Sequence, residues 1–180
     1  TVRLSGGSVA VNATTVIANA ELLGGTVTLN SGAATTATTL TLSGGTLDGA
    51  GDLTISGLFT WSSGLMRGTG TTTANGGMNL APANDGAALL GRTLVNGLGQ
   101  TASWTGGRLD FYGGAHFRNE GVFRAAHTGD QSLNGGGYSG DRAFTNEGTF
   151  IKSAPASGTV GGTYISDITF NNSGTVDIQA

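Results

Sequence analysis

The sequence predicts an all-β chain coiled as a parallel β-helix, a β-solenoid of roughly eight or nine rungs. Composition, a short recurring unit and a turn signature beside that unit each point to it. Gly supplies 34 of 180 residues, apolar residues are 37% and charged residues only 11%. Gly loses the most backbone freedom in a helix and Thr is stiff at χ1, whereas Thr, Val and Ile suit a pleated surface.

The recurring unit is Gly-x-Φ-x-Φ, where Φ is apolar. Strong copies are Gly7-Ser8-Val9-Ala10-Val11, Gly25-Thr26-Val27-Thr28-Leu29, Gly107-Arg108-Leu109-Asp110-Phe111 and Gly174-Thr175-Val176-Asp177-Ile178, and weaker ones start at Gly45, Gly64, Gly76, Gly121 and Gly148. Successive anchors are 18, 20, 19, 12, 31, 14, 27 and 26 residues apart, a spacing in the range of repeat architectures. Alternation with period 2 is a strand signal, because it sends every second side chain to one face. Val9, Val27, Leu47, Met66, Met78, Leu109, Phe123, Phe150 and Val176 then point inward, and Ser8, Thr26, Thr46, Asp48, Arg67, Arg108, Asp110, Arg124 and Asp177 outward. Ile151 pointing out and Lys152 pointing in are the exceptions.

The third signal lies upstream of the anchors. Phe117-Arg118-Asn119-Glu120-Gly121, Phe144-Thr145-Asn146-Glu147-Gly148 and Phe170-Asn171-Asn172-Ser173-Gly174 are near copies, with Trp61-Ser62-Ser63-Gly64 and Trp104-Thr105-Gly106-Gly107 as shorter variants. Asn and Gly tolerate the positive φ of a tight corner, so each rung reads strand, corner, strand. One such repeat is too small to bury its own apolar face, but stacked copies bury it against each other. Val9 is then expected beneath Val27, Val27 beneath Leu47, and Phe117, Phe144 and Phe170 in one internal ladder. Residues 1–180 read as a single solenoid segment of a longer repeat protein, interrupted by irregular insertions near 81–91 and 127–142.

The same residues bear on function mainly by exclusion. A net charge of −3 with Lys and Arg scattered singly gives no basic stripe for nucleic acid. The absence of Cys removes disulfides, thiolate nucleophiles and Cys-ligated metals, and no stretch approaches a membrane-spanning helix, so no membrane insertion of this segment is expected. His116 and His127 read as exposed surface residues, without a Gly-x-Ser-x-Gly elbow to suggest a triad. Asp48, Asp110 and Asp177 come from distant rungs, too far apart to pair as glycosidase carboxylates, and read as solvated acids. The Gly-rich stretch around Gly135, Asp130 and Asp141 departs from the calcium nonapeptide register. Outward Thr residues invite comparison with ice-binding faces, but Ser8, Thr26, Thr46, Leu65 and Arg108 in one column break the array. No catalytic residue, cofactor or metal ligand is assigned. The expected surface contacts lie in the two insertions, at Asp85, Asp130, Tyr138 and Asp141, with Trp61, Trp104, Tyr112 and Tyr164 as further aromatics. Trp61 and Trp104 are expected inside the coil, at the repeat position of Phe117.

The Ser-Gly-Gly-Thr-Leu and Phe-x-Asn-x-Gly-Thr-Phe repeats resemble those of large exported bacterial surface proteins, the autotransporter passengers and filamentous-haemagglutinin-like adhesins. The resemblance implies export to the cell surface or beyond, a right-handed β-helix, and a role as stalk or adhesive surface. Its partners would be a host or matrix carbohydrate or protein, or further copies stacked end to end. A carbohydrate-active enzyme on a β-helix and an ice-binding protein are the alternatives.

Overall fold

The computed structural model describes residues 1–30, 32, 34–83, 86–136, 139–153 and 161–179. Among the described residues nineteen strands form one continuous sheet, every pairing between successive rungs is parallel, and there is no helix. In chain order they are β1 (Val2–Val11), β2 (Thr15–Leu29), β3 (Thr35–Asp48), β4 (Leu53–Ile55), β5 (Phe59–Arg67), β6 (Thr71–Ala74), β7 (Met78–Leu80), β8 (Ala87–Leu90), β9 (Thr93–Asn96) and β10 (Thr101–Trp104). They continue as β11 (Leu109–Tyr112), β12 (His116–Asn119), β13 (Val122–Ala125), β14 (Gln131–Asn134), β15 (Ala143–Asn146), β16 (Thr149–Lys152), β17 (Thr163–Ser166), β18 (Thr169–Asn172) and β19 (Thr175–Ile178).

The register resolves these strands into three faces. Face 1 stacks Val2, Ala20, Leu40, Phe59, Met78, Ala102, Phe123, Phe150 and Val176 in one column. Face 2 stacks Val9, Val27, Leu47, Met66, Leu89 and Phe111, then continues from β11 to β14 and β17. Face 3 stacks Thr15, Thr35, Leu53, Thr72, Leu94, Phe117, Phe144 and Phe170. The expected contacts Val9 on Val27 and Val27 on Leu47 are present, and so is the Phe117, Phe144, Phe170 ladder.

One expectation is corrected by this register. The Gly-x-Φ-x-Φ anchors do not form a single column. Those at Gly7, Gly25, Gly45, Gly64 and Gly107 open face 2, whereas those near Gly76, Gly121, Gly148 and Gly174 open face 1. The uneven intervals of 12, 31 and 14 residues arise where the strong copy moves from one face to another. Met66 therefore stacks on Leu89 rather than on Met78. Trp61 and Trp104 likewise lie on face 1, in a column with Leu42 and Leu80, and are not equivalent to Phe117 on face 3. Both are nonetheless inside the coil, fully buried.

Two of the three corners use Gly for different reasons. Where face 1 turns into face 2, Gly25 and Gly45 adopt φ of 74° and 71°, a left-handed conformation that a Cβ disfavours. Where face 3 turns into face 1, Gly148 has no such φ, but a Cβ there would lie 2.0 Å from the Gly121 carbonyl oxygen of the rung before. The Asn-Glu-Gly signature is thus a close-approach corner rather than a positive-φ turn. Its Asn points inward: Asn96, Asn119 and Asn146 are wholly buried and, with Asn172, form an amide ladder. Each Nδ2 donates to the next Oδ1 at 2.8, 2.7 and 2.6 Å.

The core changes character along the axis. Early rungs are filled by Leu22, Leu29, Leu42, Leu47 and Ile55. Later rungs are aromatic, with Phe117 on Phe144 at 5.0 Å and Phe123 on Phe150 at 5.3 Å in stacked geometry, and Phe123 meeting Phe144 edge-on at 80°. Stacked and edge-to-face rings are the favoured arrangements of the aromatic quadrupole.

Both irregular stretches hold a regular strand. Residues 81–91 include β8, paired with β5 and β11, and residues 127–142 include β14, paired with β11 and β17. Beside β8, the Ala81 and Ala83 N–H groups still donate to the Trp61 and Ser62 carbonyls of the preceding rung.

Candidate functional site

Parallel strands place outward side chains of successive rungs about 4.8 Å apart, so a surface site on a solenoid is assembled from neighbouring rungs rather than neighbouring residues. On face 2 the adjacent strands β11, β14 and β17 align Asp110 with Asn134, Asn134 with Ser166, and Ser132 with Tyr164. Of these, Ser132, Tyr164 and Ser166 line an open polar groove together with Gly107, Arg108, Asp130 and Gln131.

Each wall of this groove is held in place. Asp110 is 3% exposed, and its Oδ1 accepts from Arg108 Nε at 2.7 Å and from Asn134 Nδ2 at 3.0 Å. The expectation of a solvated acid fails here, because rung stacking puts the Asn134 amide over an outward position that the Arg108 guanidinium of the same rung also covers. Asp177, by contrast, is exposed and belongs to face 1, while Asp48 on face 2 pairs with Arg67 at 2.7 Å. That hydrogen-bonded pairing holds the Asp48 carboxyl below the ordinary carboxylate range. Asp130 Oδ1 accepts the Gly162 backbone N–H at 2.7 Å, and the Tyr164 hydroxyl lies 3.5 Å from its Oδ2. Tyr164 is 53% exposed, and its ring lies against Gly162.

The expected contact residues fare unevenly. Asp130 and Asp141 are both exposed, but they flank β14 at opposite corners of face 2 and do not converge. Asp85 and Tyr138 lie outside the described residues. Among the described residues no three His, Asp or Glu side chains come together in a geometry suited to a metal ion. Tyr164 was visible as an aromatic, but its proximity to Asp130 is a contact across 34 residues that only rung alignment reveals.

The other groups with chemical potential are built into the scaffold. His127 is 2% exposed rather than a surface residue, with Nδ1 2.7 Å from the Gly129 carbonyl oxygen, Nε2 3.0 Å from Thr163 Oγ1 and its ring edge-on to Trp104. Burial lowers its pKa from the usual 6.5, and the nearby Lys152 acts in the same direction against the raising effect of Gly129. Lys152 points inward as expected and donates to the His127 carbonyl at 3.1 Å, with its own pKa lowered by burial. Arg92 is fully buried at the corner between faces 2 and 3. Its guanidinium donates to Thr72 Oγ1 at 2.9 Å, Gly49 O at 3.0 Å and Gly51 O at 2.9 Å, tying three rungs together. Desolvation pulls its pKa down to about 10.

The expected Thr column also takes a definite form. Ser8, Thr26, Thr46 and Leu65 do align, but the column continues through Ala88 to Asp110 and not through Arg108. Face 3 carries a short outward row of Thr36, Thr54 and Thr73, which Val95 and Arg118 follow.

No family model, curated protein or solved structure matches the chain.

Proposed function

We propose that this chain is a structural and adhesive segment of an exported bacterial surface protein, a stiff β-helical rod that presents one face for binding. The observation that carries the reading is the disposition of its reactive groups. His127, Lys152 and Arg92 are buried and engaged in bonds that join rungs, and Asp110 is a buried anchor for Arg108. What the surface offers instead is a polar, weakly charged lattice with a groove and a half-exposed tyrosine on face 2. Fixed hydrogen-bonding groups on a rigid scaffold favour binding, since little ordering entropy remains to be lost.

Stiffness follows from the sheet: every face is hydrogen-bonded rung to rung, and the side-chain ladders add contacts along the same axis. End-to-end association of solenoid rungs through their strand edges is a second mode of contact under this reading. An enzyme on this scaffold would draw on carboxylates of neighbouring rungs; of those on the face 2 strands, Asp48 and Asp110 are each bonded to an arginine.

The test is an array of glycans and matrix proteins probed with the folded chain, paired with polysaccharide-degradation assays in the same buffers. Selective binding without turnover is the expected result. Turnover of any polysaccharide overturns the proposal in favour of catalysis, and silence in both assays removes the adhesive half of it.

A further inference from the structure

We infer that the face 2 groove is a subsite for uncharged hexopyranose oligosaccharides, with Tyr164 as the stacking platform and Asp130 and Arg108 as the hydroxyl-binding groups. The inference rests on the adhesive reading above and names the ligand class of its surface.

Tyr164 supplies the first line of support. A Cβ placed on Gly162 would meet its Cε2, Cζ and Oη at 2.8, 3.0 and 3.0 Å, so the ring is seated on the Gly162 backbone. With 53% of the residue exposed, the rest of it is open to solvent. An aromatic ring fixed in this way is an amphipathic contact with little rotamer entropy left to lose on binding. The C–H face of a pyranose matches it, since that face is apolar while the ring's rim is lined with hydroxyls.

The polar groups beside it form a second line. Asp130 is oriented by the Gly162 N–H through Oδ1, which leaves Oδ2 facing the groove as an acceptor alongside the tyrosine hydroxyl. Arg108 is held by the buried Asp110 through Nε, and its side chain is 45% exposed, so the remaining N–H groups are donors to the groove. Asp110 is in turn fixed by Asn134, which makes the donor side as rigid as the acceptor side. Ser132, aligned with Tyr164 on the neighbouring strand, lies between them. From β11 to β17 is two strand spacings, about 9.6 Å, room for more than one sugar ring.

Charge selects within the carbohydrates. Arg108 is neutralised by Asp110, whereas Asp130 has no cationic partner among the bonds it makes. The groove is thus net negative by one carboxylate, which opposes sialylated or uronic-acid glycans and accepts neutral polyols.

The experiment titrates the folded chain with neutral gluco-, galacto- and manno-oligosaccharides and, at equal ionic strength, with sialyllactose, followed by saturation-transfer NMR and calorimetry. Neutral oligosaccharides are expected to bind and to perturb the Tyr164 ring. Tyr164→Ala should weaken binding about tenfold, equivalent to about 1.4 kcal/mol, and Tyr164→Phe should keep most of it. Ser132→Arg, an outward change that leaves the core untouched, should block the groove. The inference is overturned if neutral glycans bind both Tyr164→Ala and Ser132→Arg as well as the native chain, or if only sialyllactose binds; in either case adhesion itself stands. If no glycan binds, this inference fails while matrix-protein binding still decides the adhesive reading separately.

Discussion

Replacing Asn119 by Asp exchanges one atom in the middle of the amide ladder and reverses the sense of its hydrogen bonds. Asn119 Nδ2 donates to Asn146 Oδ1 at 2.7 Å, Thr149 O at 3.1 Å and Gly121 O at 3.2 Å, and its Oδ1 accepts from Asn96 at 2.8 Å. An ionised Asp would aim an oxygen at three acceptors in a site with no solvent exposure. The carboxyl must therefore stay protonated, and its single O–H can satisfy one acceptor of the three. The amide reaches these three acceptors with only two N–H groups, one of them shared, so the exchange removes one donor at a cost of about 1 kcal/mol. The folded-state pKa is raised above the unfolded value of about 3.9, so the folded chain binds more protons and stability falls as pH rises above about 4. At about 1.4 kcal/mol per pH unit, the deficit relative to native protein should grow to about 5 kcal/mol at pH 7. Urea unfolding of both proteins between pH 4 and pH 7, followed by circular dichroism, measures that difference. Asn172→Asp at the exposed end of the ladder is the control, expected to change stability by under about 1 kcal/mol. A flat difference across this pH range, or one below about 1 kcal/mol for Asn119→Asp, would refute the ladder.

The same ladder stops at Asn96, whose buried Oδ1 has no donor, directly above Ala74 in the register. Ala74→Asn should extend it and raise stability by about 1 kcal/mol in urea titrations, and a loss would mean that the site cannot hold an amide. Gly148→Ala should destabilise by about 2–4 kcal/mol, because its methyl meets the Gly121 carbonyl, while Gly106→Ala, with open space around it, should change stability by less than about 0.5 kcal/mol. His127 should titrate below 6.5 by NMR, and because its folded pKa is depressed, its contribution is complete above that value and lost as pH falls through it. A His127 pKa at or above 6.5 would contradict its burial against Trp104.

Much of the coil was legible in the residues, and the failures have a common cause. Alternation and the Phe117, Phe144, Phe170 spacing predict inward ladders because both are local patterns repeated at one period. The face assignment was not legible: Gly76 and Gly64 carry the same five-residue pattern, yet one opens face 1 and the other face 2. Asn119 illustrates a second ambiguity, since Asn serves equally in a tight turn and in a stacked amide row, and only the neighbouring rungs decide between them. The candidate groove fails for the same reason. Arg108, Asp130 and Tyr164 are separated by 22 and 34 residues along the chain, and nothing in their local sequence ties them together. Asp110 and His127 likewise owe their burial to groups from other rungs, Asn134 in one case and Thr163 with Lys152 in the other.

The path of the chain through three faces underlies the ladder, the groove and the proposed ligand alike. Because the chain has no Cys, paired spin labels can be placed without background. Leu65 and Ala88 are register partners facing outward on face 2, whereas Asn79 lies on face 1. Electron paramagnetic resonance of labels at 65 and 88 should show the strong dipolar broadening of neighbouring strands, about 4.8 Å apart in backbone, and labels at 65 and 79 should not. Broadening confined to the 65/79 pair would place both anchors in one column and contradict the three-faced coil.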